Sequence, residues 1–393
     1  MDYPFGDGTS LALEPEYAEA RATCPVVRVR LPFGGEAWLV TRHADVREVL
    51  TDPRFSSRET TRNPDGPRFT PQPLFPAGVM SMDPPEHTRI RSLVSKAFTG
   101  ARVQALRPRI TEIAEGLADA MLEHGPPADL VTMFALPLPV TVICELLGVP
   151  YADHGRFREL SDALLSTTAL PPEEIFAAVK ELNLYLAGLI EARRAAPRDD
   201  MLSGLIRARD QEDRLSEQEL VEFSVGLLVT GHETAATQIA NFTYMLARNP
   251  GQLAALRADP ALIPNAVEEL LRHTPLGAVS GIPRVATEDV ELSGVTIKAG
   301  DSVVPSINSA NHDEAVFDNP HDLDVTRESN PHIAFGHGVH FCLGAQLARA
   351  ELQIAVHTLL TRFPALRISA DDAALHWKKG LLIRGFSSLS VTW

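Results

Sequence analysis

Cys342 is the residue in this chain best placed to do chemistry. It lies in FGHGVHFCLG, residues 335–344, directly before AQLARAELQIAVHTLLTRF, which has the apolar spacing of an amphipathic helix. A thiol at a helix N-terminus meets unpaired backbone N–H groups and the positive end of the helix dipole, which is expected to lower its pKa and favour the thiolate. Gly336, Gly338 and Gly344 allow a tight turn and the close approach of a flat ligand. Three readings of the loop stand side by side. Cys342 could be a buried structural residue. It could bind zinc together with His332, His337 and His340, although the paired Cys-x-x-Cys or His-x-x-x-His spacing is missing. Or it could supply a single axial thiolate to haem iron.

A second group with chemical potential is TGHET, residues 230–234. Glu233 is the only formally charged residue between Glu222 and Arg248. A carboxylate in such an apolar stretch, beside hydroxyls and a glycine, can mean a loosened helix that moves protons. It can equally mean a buried Glu satisfied by an ion pair, with Gly231 allowing close helix packing. His232-Glu233 does not continue as a zinc-protease motif, because position 236 is Ala, and no phosphate-binding glycine loop is present.

Most of the chain that must position these groups has helical period. Ser216 and Glu219 form a capping box that opens a helix running to about Arg248, before Asn249-Pro250. Asp83-Pro84-Pro85-Glu86 is another helix start, with Asp83 as N-cap. Strands are expected at 26–31 and 37–41, joined by PFGG, and within 282–305. The Pro-rich stretch at 64–85 reads as a long functional loop. The fold class expected is mainly α with a small β part, in a single domain over 1–393.

Composition narrows the function. The 393 residues carry 36 Lys+Arg against 51 Asp+Glu, a net charge of −15, which disfavours a nucleic-acid binder. Hydrophobic residues make up 45%, enough to enclose a sizeable pocket and keep a core. Three distant cysteines form no disulfide framework. There is no signal-peptide pattern and no membrane-length apolar run, so a cytoplasmic protein is expected.

The run Phe335–Gly344 fits F-x-x-G-x-(H/R)-x-C-x-G and resembles the haem-binding loop of the cytochrome P450 family, in its soluble bacterial, actinobacterial-like form. The resemblance extends over essentially the whole chain. It implies a long central helix over haem b (iron protoporphyrin IX), with Cys342 as axial ligand. Glu269-Leu270-Leu271-Arg272 resembles the family's E-x-x-R, with Arg327 as third member of a structural ion-pair cluster. His87, Arg91, Arg284 and His340 match the usual partners of the haem propionates. TGHET is similar to the oxygen-activating motif, with Thr230 where Ala or Gly is usual. Glu233 and Thr234 are then the proton-delivering acid–alcohol pair.

The implied activity is insertion of one oxygen atom of dioxygen into a largely apolar small molecule (a terpenoid, steroid, macrolide or polyketide). Electrons are expected from an external ferredoxin and its reductase, since no flavin or iron–sulfur segment is present. Docking would use a local basic face drawn from Lys96, Arg102, Arg107, Arg109 and Arg349. Val79, Val229, Thr230 and Ser280 are expected to line the substrate pocket, in a wall formed by 64–82, 166–173, the middle of the long helix, 276–282 and 380–384. Two other readings remain at this point: a haem-binding sensor or carrier without turnover, and a zinc-stabilised helical binding protein.

Overall fold

Two β segments far apart in sequence build one sheet. The computed structural model describes the chain except residues 64, 72–77, 96–97, 151–152, 154, 156–158, 161–162, 165–168, 199–200, 211–214 and 370–373. Strands β1 (Val26–Arg30) and β2 (Glu36–Val40) form the antiparallel hairpin expected around PFGG, with Val26 opposite Val40 and Arg30 opposite Glu36. Beyond β2 lie β5 (Ser302–Pro305), β4 (Arg284–Ala286) and β3 (Phe55–Ser56), giving the order β1-β2-β5-β4-β3. The β2–β5 pairing is parallel, with Leu39 opposite Val304, and it joins the two segments. From Glu36 to Leu39 of β2 burial alternates with the period-two side-chain pattern, whereas β1 buries Val26 and Val29, on opposite faces.

The remaining frame is helical. α1 (His43–Thr51) follows the hairpin, and α2 (Glu86–Ser95) follows the proline-rich stretch. α3 (Gly100–His124) and α4 (Pro137–Leu147) pack with α6 (Glu217–Arg248) and α8 (Ala345–Arg362), while α5 (Pro172–Ala195) covers α6 from outside. α7 (Ile263–His273) lies against α8, and the hairpin β6 (His376–Trp377) and β7 (Phe386–Ser388) presses on α6. The largest buried apolar cluster takes residues from Leu11 to Val391.

α6 begins as its sequence requires. Glu219 N–H donates to Ser216 Oγ at 3.1 Å, and Ser216 N–H donates to Glu219 Oε2 at 2.7 Å. Its 32 residues give a rise of about 48 Å. The loosening considered near Gly231 does not occur: α6 is continuous through that position. Glycine there lets α6 lie close to α4: a Cβ would come 2.9 Å from Ile143 Cδ1, and that side chain would have to shift.

The start of α2 differs in detail from the expectation. Asp83 accepts the backbone N–H of His87 through its carbonyl, at 3.0 Å, as a helix cap does. Its carboxylate instead accepts from Ser57 N–H at 2.8 Å and from the Ser56 hydroxyl. That side chain ties α2 to the sheet, a long-range job invisible in the local pattern.

Candidate active site

The cysteine loop is closed by backbone bonds before any side chain acts. Cys342 N–H donates to Phe335 O at 2.8 Å, and Phe341 N–H to Gly338 O at 3.1 Å. Gly336 and Gly338 have φ of 74° and 71°, a region that favours glycine. A Cβ on Gly338 would also sit 2.4 Å from Leu50 O, at the end of α1. Phe335 lies under the Arg349 guanidinium, 4.5 Å from its ring centre. Arg349 is held by two 2.8 Å bonds to Glu268, which His332 also contacts at 2.9 Å. Burial alone would raise the Glu268 carboxyl, but the bonds from His332 and Arg349 hold it at about 2.

Cys342 opens into a cavity of about 940 Å³ lined mostly by apolar side chains. Its thiol is pushed up, not down as expected from the helix end. Burial outweighs the Gly344 N–H bond and the nearby Arg91 and Arg349 charges, which pull the other way. The zinc arrangement does not form: His332 bonds Glu268, His337 faces Arg47 at 3.3 Å, and His340 meets Ser57 at 3.2 Å. Among the described residues, no group of three or more His, Cys, Asp or Glu side chains could hold a metal ion.

Four basic residues converge on the same cavity. His87 and Arg91 come from α2, Arg284 from β4 and His340 from the cysteine loop. The His87 and His340 rings are 4.3 Å apart, and neither ring nitrogen of His87 has a partner among the described residues. Burial, then the Arg284 and His87 charges, push His340 down to about 3. Burial likewise lowers Arg284 to about 10. Arg91 donates to the carbonyl of Phe341, beside the cysteine. Packing cations and neutral imidazoles this closely is unfavourable alone and becomes favourable around anionic groups.

The cavity's opposite wall is one face of α6: Thr230, Gly231, Thr234, Ala235 and Gln238. The Thr234 hydroxyl donates to Thr230 O at 3.1 Å, and the Thr230 hydroxyl to Gly226 O at 2.7 Å. Glu233 lies on a neighbouring face, buried, and is ion-paired to Lys378 from the β6–β7 hairpin. Of the two readings of this segment, the structure has the ion pair and the close packing at Gly231.

The structural cluster is fully formed. Arg272 meets Glu269 through two bonds of 2.8 and 2.7 Å, both side chains having no exposed surface. Arg327 joins at 3.0 Å. Asn330 Nδ2 and Asp324 N–H complete the carboxylate at 3.1 and 3.0 Å, and neither was expected from the sequence. Arg272 also donates to the carbonyls of Asn311, Pro320 and Asp322, which fixes the segment leading to the cysteine loop.

Val79 and Thr230 line the cavity as expected, while Val229 and Ser280 do not. Val229 is turned into the core, and Ser280 Oγ is bonded to the Tyr17 hydroxyl at 2.7 Å. Leu276 and Ile282 line it, as do Thr70, Pro71, Gly78 and Met80 from the proline-rich stretch. Residues 64, 72–77 and 166–168 of the expected wall lie outside the described residues. The 380–384 turn lies behind the wall instead, its Leu382 O accepting from Ala278 N–H at 2.9 Å. Two cavity or near-cavity groups had no local signal. Lys378 is 145 positions from its partner, and Glu351, buried on α8, is pushed up to about 8. Of the basic-face candidates, Arg109 is paired with Glu112 and Glu145, and Arg349 with Glu268. Arg107 donates to Gln353 at 3.1 Å, Arg102 is exposed, and Lys96 lies outside the described residues.

Comparison with known proteins agrees with this geometry. The family model described as Cytochrome P450 matches residues 20–383. Nocardicin C N-oxygenase of Nocardia uniformis subsp. tsuyamanensis is 52% identical over 391 residues, covering 100% of this chain and 98% of that protein. Mycinamicin IV hydroxylase/epoxidase of Micromonospora griseorubida has the same identity and coverage. Among solved structures, the LnmA cytochrome P450 hydroxylase from the leinamycin biosynthetic pathway of Streptomyces atroolivaceus superposes with a TM-score of 0.93 at 50% identity, covering 100% of both chains.

A haem has one iron needing an axial donor, two carboxylates needing cations, and a flat apolar ring. The cavity supplies one cysteine sulfur, unpartnered His87 nitrogens beside Arg91, Arg284 and His340, and apolar walls between them. The residues fit the group.

Proposed function

The chain belongs to the cytochrome P450 family, and from that premise we propose how its own side chains serve the reaction. It is a haem-thiolate monooxygenase. When bound, the haem supplies the activation of dioxygen and the transfer of one oxygen atom. The Cys342 sulfur would hold the haem iron, and a thiolate there would supply the electron density that oxygen activation needs. Arg91, Arg284, His87 and His340 would hold the two propionates. Glu269, Arg272 and Arg327 keep the cysteine loop in place. Thr234 gives a hydrogen bond at the distal wall, and Glu233 on the same helix provides the proton. Residues 1–393 act as one domain, a reading supported by the apolar cluster that draws on both ends of the chain.

The substrate is a bulky, mainly apolar natural product of the macrolide or polyketide class. The observation that carries this is the apolar lining of the cavity away from the groups that would hold the haem: Val79, Met80, Ile175, Phe176, Leu276 and Ile282. It is also supported by a relative named for its action on mycinamicin IV. Electrons come from a ferredoxin and its reductase, docking near Arg102 and Arg107, and the complex weakens as salt rises.

Turnover of a macrolide panel under isotopically labelled dioxygen tests the whole reading. The expected product gains one labelled oxygen atom. Label-free product, or conversion without dioxygen, contradicts it.

A further inference from the structure

The acid of the TGHET segment does not stand free. Glu233 Oε1 accepts from Lys378 Nζ and from the Thr237 hydroxyl, the latter at 3.2 Å. Lys378 Nζ also donates to Thr237 Oγ1 at 2.9 Å, so the three side chains close a triangle. Glu233 and Thr237 are i and i+4 and share a helix face. That face is adjacent to the one carrying Thr234 into the cavity. The Glu233 side chain is 4% exposed and that of Lys378 13%. A buried carboxylate paired in this way keeps its orientation, because turning away would leave the two groups without each other.

The hairpin that carries Lys378 is built to hold it there. Lys378 N–H donates to Gly385 O at 2.8 Å across the hairpin. At Gly385 a Cβ would meet Thr237 Cγ2 at 2.5 Å and Asn241 Oδ1 at 2.9 Å, so only glycine lets the two backbones approach. Asn241 Nδ2 donates to Arg384 O at 3.1 Å, and Arg384 N–H to the carbonyl of cavity-lining Leu276 at 2.8 Å. The same hairpin therefore touches the substrate wall on one side and the acid on the other.

We propose that Lys378 is a positioning residue for proton delivery: with Thr237 it holds Glu233 turned from the cavity, and the Glu233 carboxylate reaches the distal wall only when that pair opens. Movement of the Leu276 segment as a bulky substrate seats is the step that loosens it, through the Arg384 backbone bond. The proposal rests on Glu233 being the proton source, as read above.

Two arms separate the clamp from that reading. In the first, haem-free and haem-loaded protein are labelled with a lysine acylating reagent and the sites are read by mass spectrometry. Lys378 is expected to resist labelling while its exposed neighbour Lys379 reacts, and Glu233→Gln is expected to release Lys378 to the rate of Lys379. Equal labelling of the two in the parent protein overturns the clamp. In the second arm, peroxide released per NAD(P)H and the solvent isotope effect are measured in a double-mutant cycle. Lys378→Met is expected to change both severalfold in the parent and neither in the Glu233→Gln background, with Lys378→Arg restoring parental values. An equal effect of Lys378→Met in both backgrounds overturns the positioning role. If Lys378 is protected but Glu233→Gln leaves both readouts unchanged, the proton role of Glu233 fails and the positioning role with it.

Discussion

Thr234 and Glu233 are neighbours in sequence that face different surroundings, and the proposed proton delivery uses that difference. Thr234 reaches the cavity, while Glu233 is held by Lys378 behind it. Removing the Thr234 hydroxyl leaves the apolar wall almost unchanged in shape but takes away a hydrogen bond at the distal face. Thr234→Ala is therefore expected to keep substrate affinity and divert electrons to peroxide, read as product per NAD(P)H. Unchanged coupling would contradict its role. At this scale the sequence was most legible where a motif has many fixed positions, as around Cys342, and where one charge stands alone, as at Glu233. It was least legible where the partner lies far along the chain. Nothing near residue 233 points to Lys378, and nothing near Val229 says which face of a buried helix it takes. The thiol direction was missed for a related reason: a helix end is local, whereas the burial that outweighs it comes from the whole loop and the helices around it.

Among the elements, α7 has the heaviest structural duty. Glu269 accepts from Arg272, Arg327, Asn330 and the Asp324 backbone, and its own carboxylate and the Arg272 side chain are fully buried. Removing one partner of such a group leaves an uncompensated buried charge, at a cost of about 3–5 kcal/mol. Glu269→Gln is expected to lower stability by that amount in urea unfolding and to reduce haem retention during purification. A change below about 0.5 kcal/mol, the range of ordinary surface substitutions, would contradict the assignment. Elements were legible where their ends carry their own chemistry. The Ser216–Glu219 box and the PFGG hairpin formed as expected because both signals are satisfied within a few residues. The continuity of α6 through Gly231 was not readable, since the reason for that glycine is Ile143 on another helix. Asp83 shows the same limit, its carboxylate serving β3 and not its own helix.

At the scale of the molecule, the cysteine loop, the basic groups of α2 and β4, and the long helix together wall the cavity. The net charge of −15 places any acidic redox partner against a repulsive background. Of the arginines expected to offset it, Arg109 and Arg349 are already neutralised by internal carboxylates. Among the described residues no helix is long and apolar enough to cross a membrane. The proposed roles of the site converge on the sulfur of Cys342 as the donor to haem iron, and the spectrum of the reduced carbon monoxide complex reports that bond directly. The parent protein is expected to show the long-wavelength Soret band of thiolate ligation, and Cys342→Ser to lose that band together with oxygenation of substrate. A serine variant that kept both the band and the activity would contradict the account.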